Sequence, residues 1–277
     1  MSVRLAVPEV FSLERYFERI GFAGAARANA EVLEAVQRAQ LARIPFENFD
    51  ILLGRGISVE PAAICAKLLE RPRGGYCFEL NGLFLMALHA IGFEARPLLA
   101  RVHLSGEPSG RSHELLLVTL GGRPWIADAG FGGTALRAPI PFELGERRVQ
   151  DGQHFRLVDA GAFGTMLQSE IEGQWRDLYS FDLAHVCPAD IALGNHFTST
   201  HPSSFFTFAR VAALHVPDGR LTLFDLTLRR AGPEGESTRE LPEGAGYIEA
   251  MSEHFGIRLD ASYEALRPLR ARGDAVA

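Results

Sequence analysis

The chain has 277 residues, enough for two or three substructures around a sizeable core. Hydrophobic residues make up 47% and charged residues 22%, an ordinary globular balance, and a net charge of −6 excludes a broad basic footprint for nucleic acid or an anionic membrane. Cys65, Cys77 and Cys187 are odd in number, widely spaced and without a C-x-x-C pair, which excludes a disulfide framework; with no secretory apolar core at the N-terminus, a cytoplasmic protein is expected.

Taken in order, residues 9–42 predict helices, with Phe11, Leu13, Tyr16, Phe17 and Ile20 near helical spacing, then Val32, Leu33, Val36 and Leu41 after the break at Gly21. Pro45 ends the second of these, and Arg43 to Phe49 reads as a loop. A helix over 59–71 closes at Pro72 and Gly74-Gly75, and a longer one runs from Cys77 to Ile91, stopped by Gly92. The first 90 or so residues thus read as all-helical. Strands follow at 95–104, 114–120, 125–129, 153–160, 163–172, 174–181 and 205–216, the pattern of a β-barrel or sandwich. Asp218-Gly219 signals a hairpin turn before one strand over 221–228. Residues 231–245 read as an exposed loop and 247–255 as a final helix ending at Gly256.

The chemistry concentrates in three segments. Arg73 to Gly82 sets Cys77 where a glycine turn meets a helix. The free N–H groups and positive dipole end of the first helical turn favour a thiolate, so an ionised sulfur is expected. Ser112-His113-Glu114 and Asp128-Ala129-Gly130 supply an imidazole and a carboxylate. If Gly121-Gly122 forms a two-residue hairpin loop, Asp128 faces Leu115, and His113 lies on the same face two residues away. The two Cα atoms would then stand roughly 7–8 Å apart. A three- or five-residue loop would put them on opposite faces.

Cys77 is then a nucleophile, His113 its proton acceptor and Asp128 the group that fixes the imidazole tautomer. Against this stand plainer roles: a small buried hydrophobe, a structural histidine and a turn aspartate. His103 is a rival base, whereas His89 sits roughly 18 Å along the Cys77 helix. No H-x-x-x-H or H-E-x-x-H spacing occurs, and no metal is expected.

With these residues in view, the chain resembles the arylamine N-acetyltransferases of the bacterial type. The matching segments are Arg43 to Phe49, Arg73 to Gly82, Ser112-His113, Asp128 to Gly133 and Asn195 to Phe206. One departure is Ala129, where such proteins usually carry valine. The resemblance implies an α+β fold with a cysteine-protease-like Cys-His-Asp core. It has an N-terminal helical bundle (1–92) carrying the cysteine, a central β-barrel (93–195) carrying histidine and aspartate, and a C-terminal α/β lid with its connecting segment (196–277). By the same resemblance the triad falls on Cys77, His113 and Asp128, and an aromatic acceptor pocket on Phe46, Phe131 and Phe206 with Val102 beside them. Ser112 and Gly132 fall near the thiol arm of acetyl-CoA. The implied reaction is ping-pong acetyl transfer from acetyl-CoA, the cosubstrate, to small aromatic amines or hydrazines; a homodimer is left open. The alternatives are a Cys-His-Asp amidase or amide synthase with another acyl donor, and a non-enzymatic thiol sensor.

Overall fold

The computed structural model describes residues 7–134 and 136–269. Its first helices are α1 (Leu13–Ile20) and α2 (Ala30–Arg43), capped by the side chains of Ser12 and Asn29. A two-residue strand β1 (Phe46–Glu47), a short helix α3 (Phe49–Leu52) and α4 (Pro61–Leu68) lead to α5 (Cys77–Ile91). Helix α5 is apolar nearly all round, which fits its burial at the centre of the helical core. Glu79 Oε2 reaches back to the Tyr76 N–H at 3.1 Å, and Gly92 closes the helix in the left-handed region at φ 103°. Both ends fall where the sequence places them.

Strands β2 (Glu94–Val102), β3 (Arg111–Leu120), β4 (Arg123–Ala127), β5 (Ile140–Pro141), β6 (Arg148–Gln150), β7 (Gln153–Asp159), β8 (Thr165–Ile171) and β9 (Gln174–Phe181) form one antiparallel, nearly closed sheet. Its order is β5-β4-β3-β2-β9-β8-β7-β6. Alternate residues of β3 serve two cores: Leu115 packs inside the barrel, while Leu116 and Val118 face α5. Leu120 pairs with Arg123 across Gly121-Gly122, whose φ angles of 58° and 76° suit a two-residue turn.

Helix α6 (Pro188–Thr200) then crosses to β10 (Val211–Val216), β11 (Gly219–Phe224), β12 (Thr227–Gly232), β13 (Gly235–Glu240) and α7 (Ala245–Phe255). The fold is α+β, as expected, with several local corrections. The first 90 residues are not wholly helical: β1 pairs with β10 and joins the C-terminal sheet β1-β10-β11-β12-β13. The 205–216 strand shortens to 211–216, because Phe205–Thr207 form a 3₁₀ turn. The first C-terminal hairpin turns at Pro217-Asp218, since Val216 pairs with Gly219. The single strand over 221–228 is two strands, parted by a turn in which Asp225 takes φ 54°. The expected loop at 231–245 is largely the β12–β13 hairpin. No helix among the described residues is long and apolar enough to cross a membrane.

Candidate active site

Cys77 opens α5 with its sulfur buried, the residue being 4% exposed. What holds it there is a set of close backbone contacts. Pro45 and Gly75 are hydrogen-bonded, Gly75 N to Pro45 O at 3.2 Å, and the Glu47 N–H donates to Gly75 O at 2.8 Å. A Cβ on Gly74 would lie 2.0 Å from the Pro45 carbonyl oxygen, so only glycine lets these loops approach. Beneath them runs a buried ion network. Arg73 donates to Glu47 at 2.9 Å and to Asp50 at 3.0 Å; Lys67 bridges Asp50 and Glu79, each at 2.8 Å. Burial alone would raise the Asp50 pKa, but Lys67 and Arg73 hold it below its ordinary value.

His113 and Asp128 meet as the two-residue hairpin requires: His113 Nε2 lies 2.8 Å from Asp128 Oδ2, with both residues buried. A β-bulge helps to aim the imidazole. Ala100 pairs with His113 and Arg101 with Arg111, so Ser112 is the extra residue on β3. Its carbonyl accepts the Cys77 thiol at 3.7 Å, which links the cysteine to the strand of the histidine.

The other Asp128 oxygen is also occupied. Oδ1 accepts from Asn81 Nδ2 at 3.0 Å and Gly130 N at 2.9 Å. Burial opposes ionisation of Asp128, yet His113 and these donors keep its pKa below the usual carboxylate range. Facing the Asp128 carboxylate, Nε2 is the ring nitrogen placed to donate, which puts the lone pair of the imidazole on Nδ1.

The sulfur differs from expectation. Burial pushes the Cys77 pKa up, and the Glu114 and Asp128 carboxyls add to this. Backbone N–H groups of Glu114 and Phe78 pull only partly the other way. The helix start alone therefore does not keep an ionised thiolate in so dry a place. Handing the thiol proton to His113 creates a thiolate and an imidazolium together, with no change in net charge, and this avoids most of the penalty that a lone buried charge carries.

Aromatic rings gather beside His113 and beside Tyr76, the neighbour of Cys77. Phe131 lies 5.0 Å from the His113 ring, and Phe46 and Tyr76 each lie 5.9 Å from Phe206. Val102 ends β2 opposite Tyr179, whose ring stands 4.9 Å from His113. The position of Gly132 faces the Phe46 ring, and the Ser112 hydroxyl is 2.9 Å from that of Ser109. His103 bonds Ser180 at 2.9 Å instead of joining the Cys77 group.

Three supporting residues lack any sequence expectation. Asn81 stands one helical turn after Cys77 and holds Asp128, the Glu114 carbonyl and the Ala129 N–H. That i, i+4 spacing was the available signal. Gln37 accepts from the Asp128 N–H at 3.3 Å and donates to Leu136 O at 3.0 Å. Tyr179 is fully buried among His113 and Phe131, and burial, then Asp128, push its phenol pKa well up.

Gly130 is where the two halves of this site touch. A Cβ there would lie 2.7 Å from Asn81 Nδ2 and 2.9 Å from the Cys77 Cα. Gly130→Ala is expected to push α5 from the Asp128 loop, lowering both stability and turnover, by about 1–3 kcal/mol for the overpacking alone. Thermal melting and steady-state rates check it; wild-type values in both would show that the contact is slack.

The chain matches the sequence profile of the N-acetyltransferase family over residues 29–263. It is 40% identical over 255 residues to the arylamine N-acetyltransferase of Escherichia coli K12, covering 90% of this chain and 89% of that one. It is 37% identical over 250 residues to a Salmonella typhimurium protein named arylamine N-acetyltransferase / N-hydroxyarylamine O-acetyltransferase, covering 88% of each. The fold superposes on the arylamine N-acetyltransferase structure from Salmonella typhimurium with TM-score 0.86 at 35% identity, covering 91% of this chain and 92% of the other. The Mycobacterium marinum arylamine N-acetyltransferase in complex with CoA gives 0.85 at 33%, covering 89% and 93%. An apolar helix that presents a cysteine to a hairpin-borne His–Asp pair, with likeness along nearly the whole chain, places this protein in the arylamine N-acetyltransferase family.

Proposed function

We propose that this protein transfers an acetyl group from acetyl-CoA to Cys77 and from there to the nitrogen of an aromatic amine or hydrazine. Transfer to the oxygen of an N-hydroxyarylamine uses the same machinery on a neighbouring atom. The observation that carries the assignment is the 2.8 Å bond from His113 Nε2 to Asp128, because it leaves Nδ1 able to take a proton.

In the first half-reaction the Cys77 thiol proton passes to Nδ1 and the sulfur attacks the thioester carbonyl. The carbon–sulfur bond to CoA then breaks, and CoA leaves as a thiol with the proton from His113. One thioester replaces another, so the step is close to balanced. In the second half-reaction the amine attacks the acetyl-cysteine, its proton goes to His113, and Cys77 leaves and recovers that proton. Aromatic amines stay unprotonated near pH 7 and keep the lone pair that the attack needs. Positioned proton transfer of this kind contributes about 10²–10⁴-fold.

Phe46, Phe131, Phe206 and Val102 are assigned to the wall that receives the aromatic ring, and Ser112 and Gly132 to the acetyl-CoA thiol arm. Flat rings pack edge to face or offset against such a wall. The nearness of Phe131 to His113 supports the aromatic assignment. At Gly132 the missing side chain leaves the Phe46 face clear, which suits a thin arm passing to the sulfur.

Intact mass spectrometry after mixing with acetyl-CoA alone is the test. Wild type gains one acetyl group with release of CoA, and Cys77→Ala gains none. An acetylated Cys77→Ala, or an unmodified wild type, would sink the assignment. CoA release that continues undiminished without amine would point to a hydrolase.

A further inference from the structure

Glu114 is a buried acid for which the transfer mechanism has no use. It follows His113 on β3 and so projects from the opposite face of the strand. It is only 3% exposed, and its Oε2 has no hydrogen-bond partner among the described residues. Its backbone is part of the site: the carbonyl accepts from Asn81 at 2.5 Å, and its N–H serves the Cys77 sulfur.

We propose that Glu114 is a positioning residue, an acid buried behind Cys77 whose proton must stay on for the sulfur to ionise, so that its loss disarms the nucleophile in alkaline solution. The proposal rests on Cys77 being the nucleophile.

The charges around the acid set the sign. Tyr76 and Cys77 face it from the start of α5, the first as its N-cap, Asp128 from just past β4, and His113 adjoins it on β3; its partner on β2 is Leu99. On α6, Asp190 is turned to the Cys187 N–H and His196 is exposed. Moving the thiol proton to His113 leaves the three residues at one net negative charge but sets the new negative charge on Cys77, the group that Glu114 acts on. A Glu114 carboxylate would repel that thiolate directly. The buried cations packed about the start of α5 are engaged elsewhere, Lys67 by Asp50 and Glu79 and Arg73 by Glu47 and Asp50, and the buried Arg210 guanidinium lies over the Tyr247 and Tyr263 rings. Burial, then the Asp128 carboxylate, push the Glu114 pKa well up, in keeping with an uncharged acid at neutral pH.

The experiment follows iodoacetamide alkylation of Cys77 in the full chain from pH 6 to 10. The reaction is read on the Cys77 peptide, because Cys65 and Cys187 are also free thiols. Glu114→Gln keeps the shape and cannot ionise. The ratio of its rate to that of wild type is expected to climb about tenfold between pH 7 and pH 10, the effect of about one pKa unit of like-charge coupling. Glu114→Leu, also unable to ionise, is expected to climb alike. Ratios that stay flat overturn the proposal, as does a Gln variant that tracks wild type while Leu departs.

Melting gives a second readout. A carboxyl raised by folding holds its proton where the unfolded chain has lost it, so it favours the fold fully below about pH 4.3, and that contribution drains away as pH rises toward the folded pKa. The Tm of Glu114→Gln should gain on that of wild type as pH rises from 4 to 8. A gap independent of pH overturns the buried neutral acid. Acetyl-CoA is absent from both measurements, so a failure of acetyl transfer is seen separately.

Discussion

Asp128→Asn is expected to lower kcat/KM by about ten-thousand-fold, the cost known for the same change in a serine-protease triad. Through the rate law that is about 5.5 kcal/mol of barrier. The reason lies in the occupancy of both carboxylate oxygens. Oδ1 accepts from Asn81 and Gly130, so the amide oxygen of an asparagine must stay on that side. Its NH₂ then faces His113 Nε2, which has to become an acceptor. The imidazole proton moves to Nδ1, and the lone pair proposed to take the thiol proton is gone. Shape is conserved, so far-ultraviolet circular dichroism should be unchanged while the rate collapses. A rate within tenfold of wild type would show that Asp128 does not set the tautomer, and an unfolded variant would mark it as a structural carboxylate. The pH dependence has a definite sign. With its folded pKa depressed, Asp128 contributes stability above the unfolded value of about 3.9, and this is lost as pH falls through the folded value. The stability difference between wild type and Asp128→Asn should therefore shrink in acid.

Arg73→Met is expected to be the most damaging change to stability. Its guanidinium is buried against Glu47, which is fully buried, and Asp50. Removing it takes from Glu47 the guanidinium it is paired with and leaves Asp50 to Lys67, at a cost of about 3–5 kcal/mol. For a chain of this size Tm should fall by about 10 °C. Adding Glu47→Gln to Arg73→Met should recover part of the loss, because the two residues share one interaction. A Tm within about 2 °C of wild type would mean that water or Lys67 takes over the charges.

Several features of this protein are legible in the order of its residues. Helix α5 carries its own punctuation in Glu79 and Gly92, and the Gly121-Gly122 turn is enough to bring His113 and Asp128 together. Other features have no local signature. Helix α6 buries Asn195, Thr198 and Ser199 while Leu193 is 70% exposed, so its hydrophobic pattern is inverted. Strand β13 is exposed along its whole length and shows no alternation. Strand β1 is two residues long, too short for any period. The contact of Gln37 with Asp128 spans 91 positions, and the protonation of Cys77 depends on burial by distant segments.

The two-residue strand β1 has a wide reach. Phe46 and Glu47 pair with Ala213 and Ala212 on one side and meet Gly75 on the other. A premature stop codon after position 210 would spare Cys77, His113 and Asp128 alike. It would nonetheless strip the outer rail from the two residues that brace the turn leading into Cys77. Truncation at the tail would thus resemble an injury at the sulfur, although the missing segment lies far along the chain from Cys77.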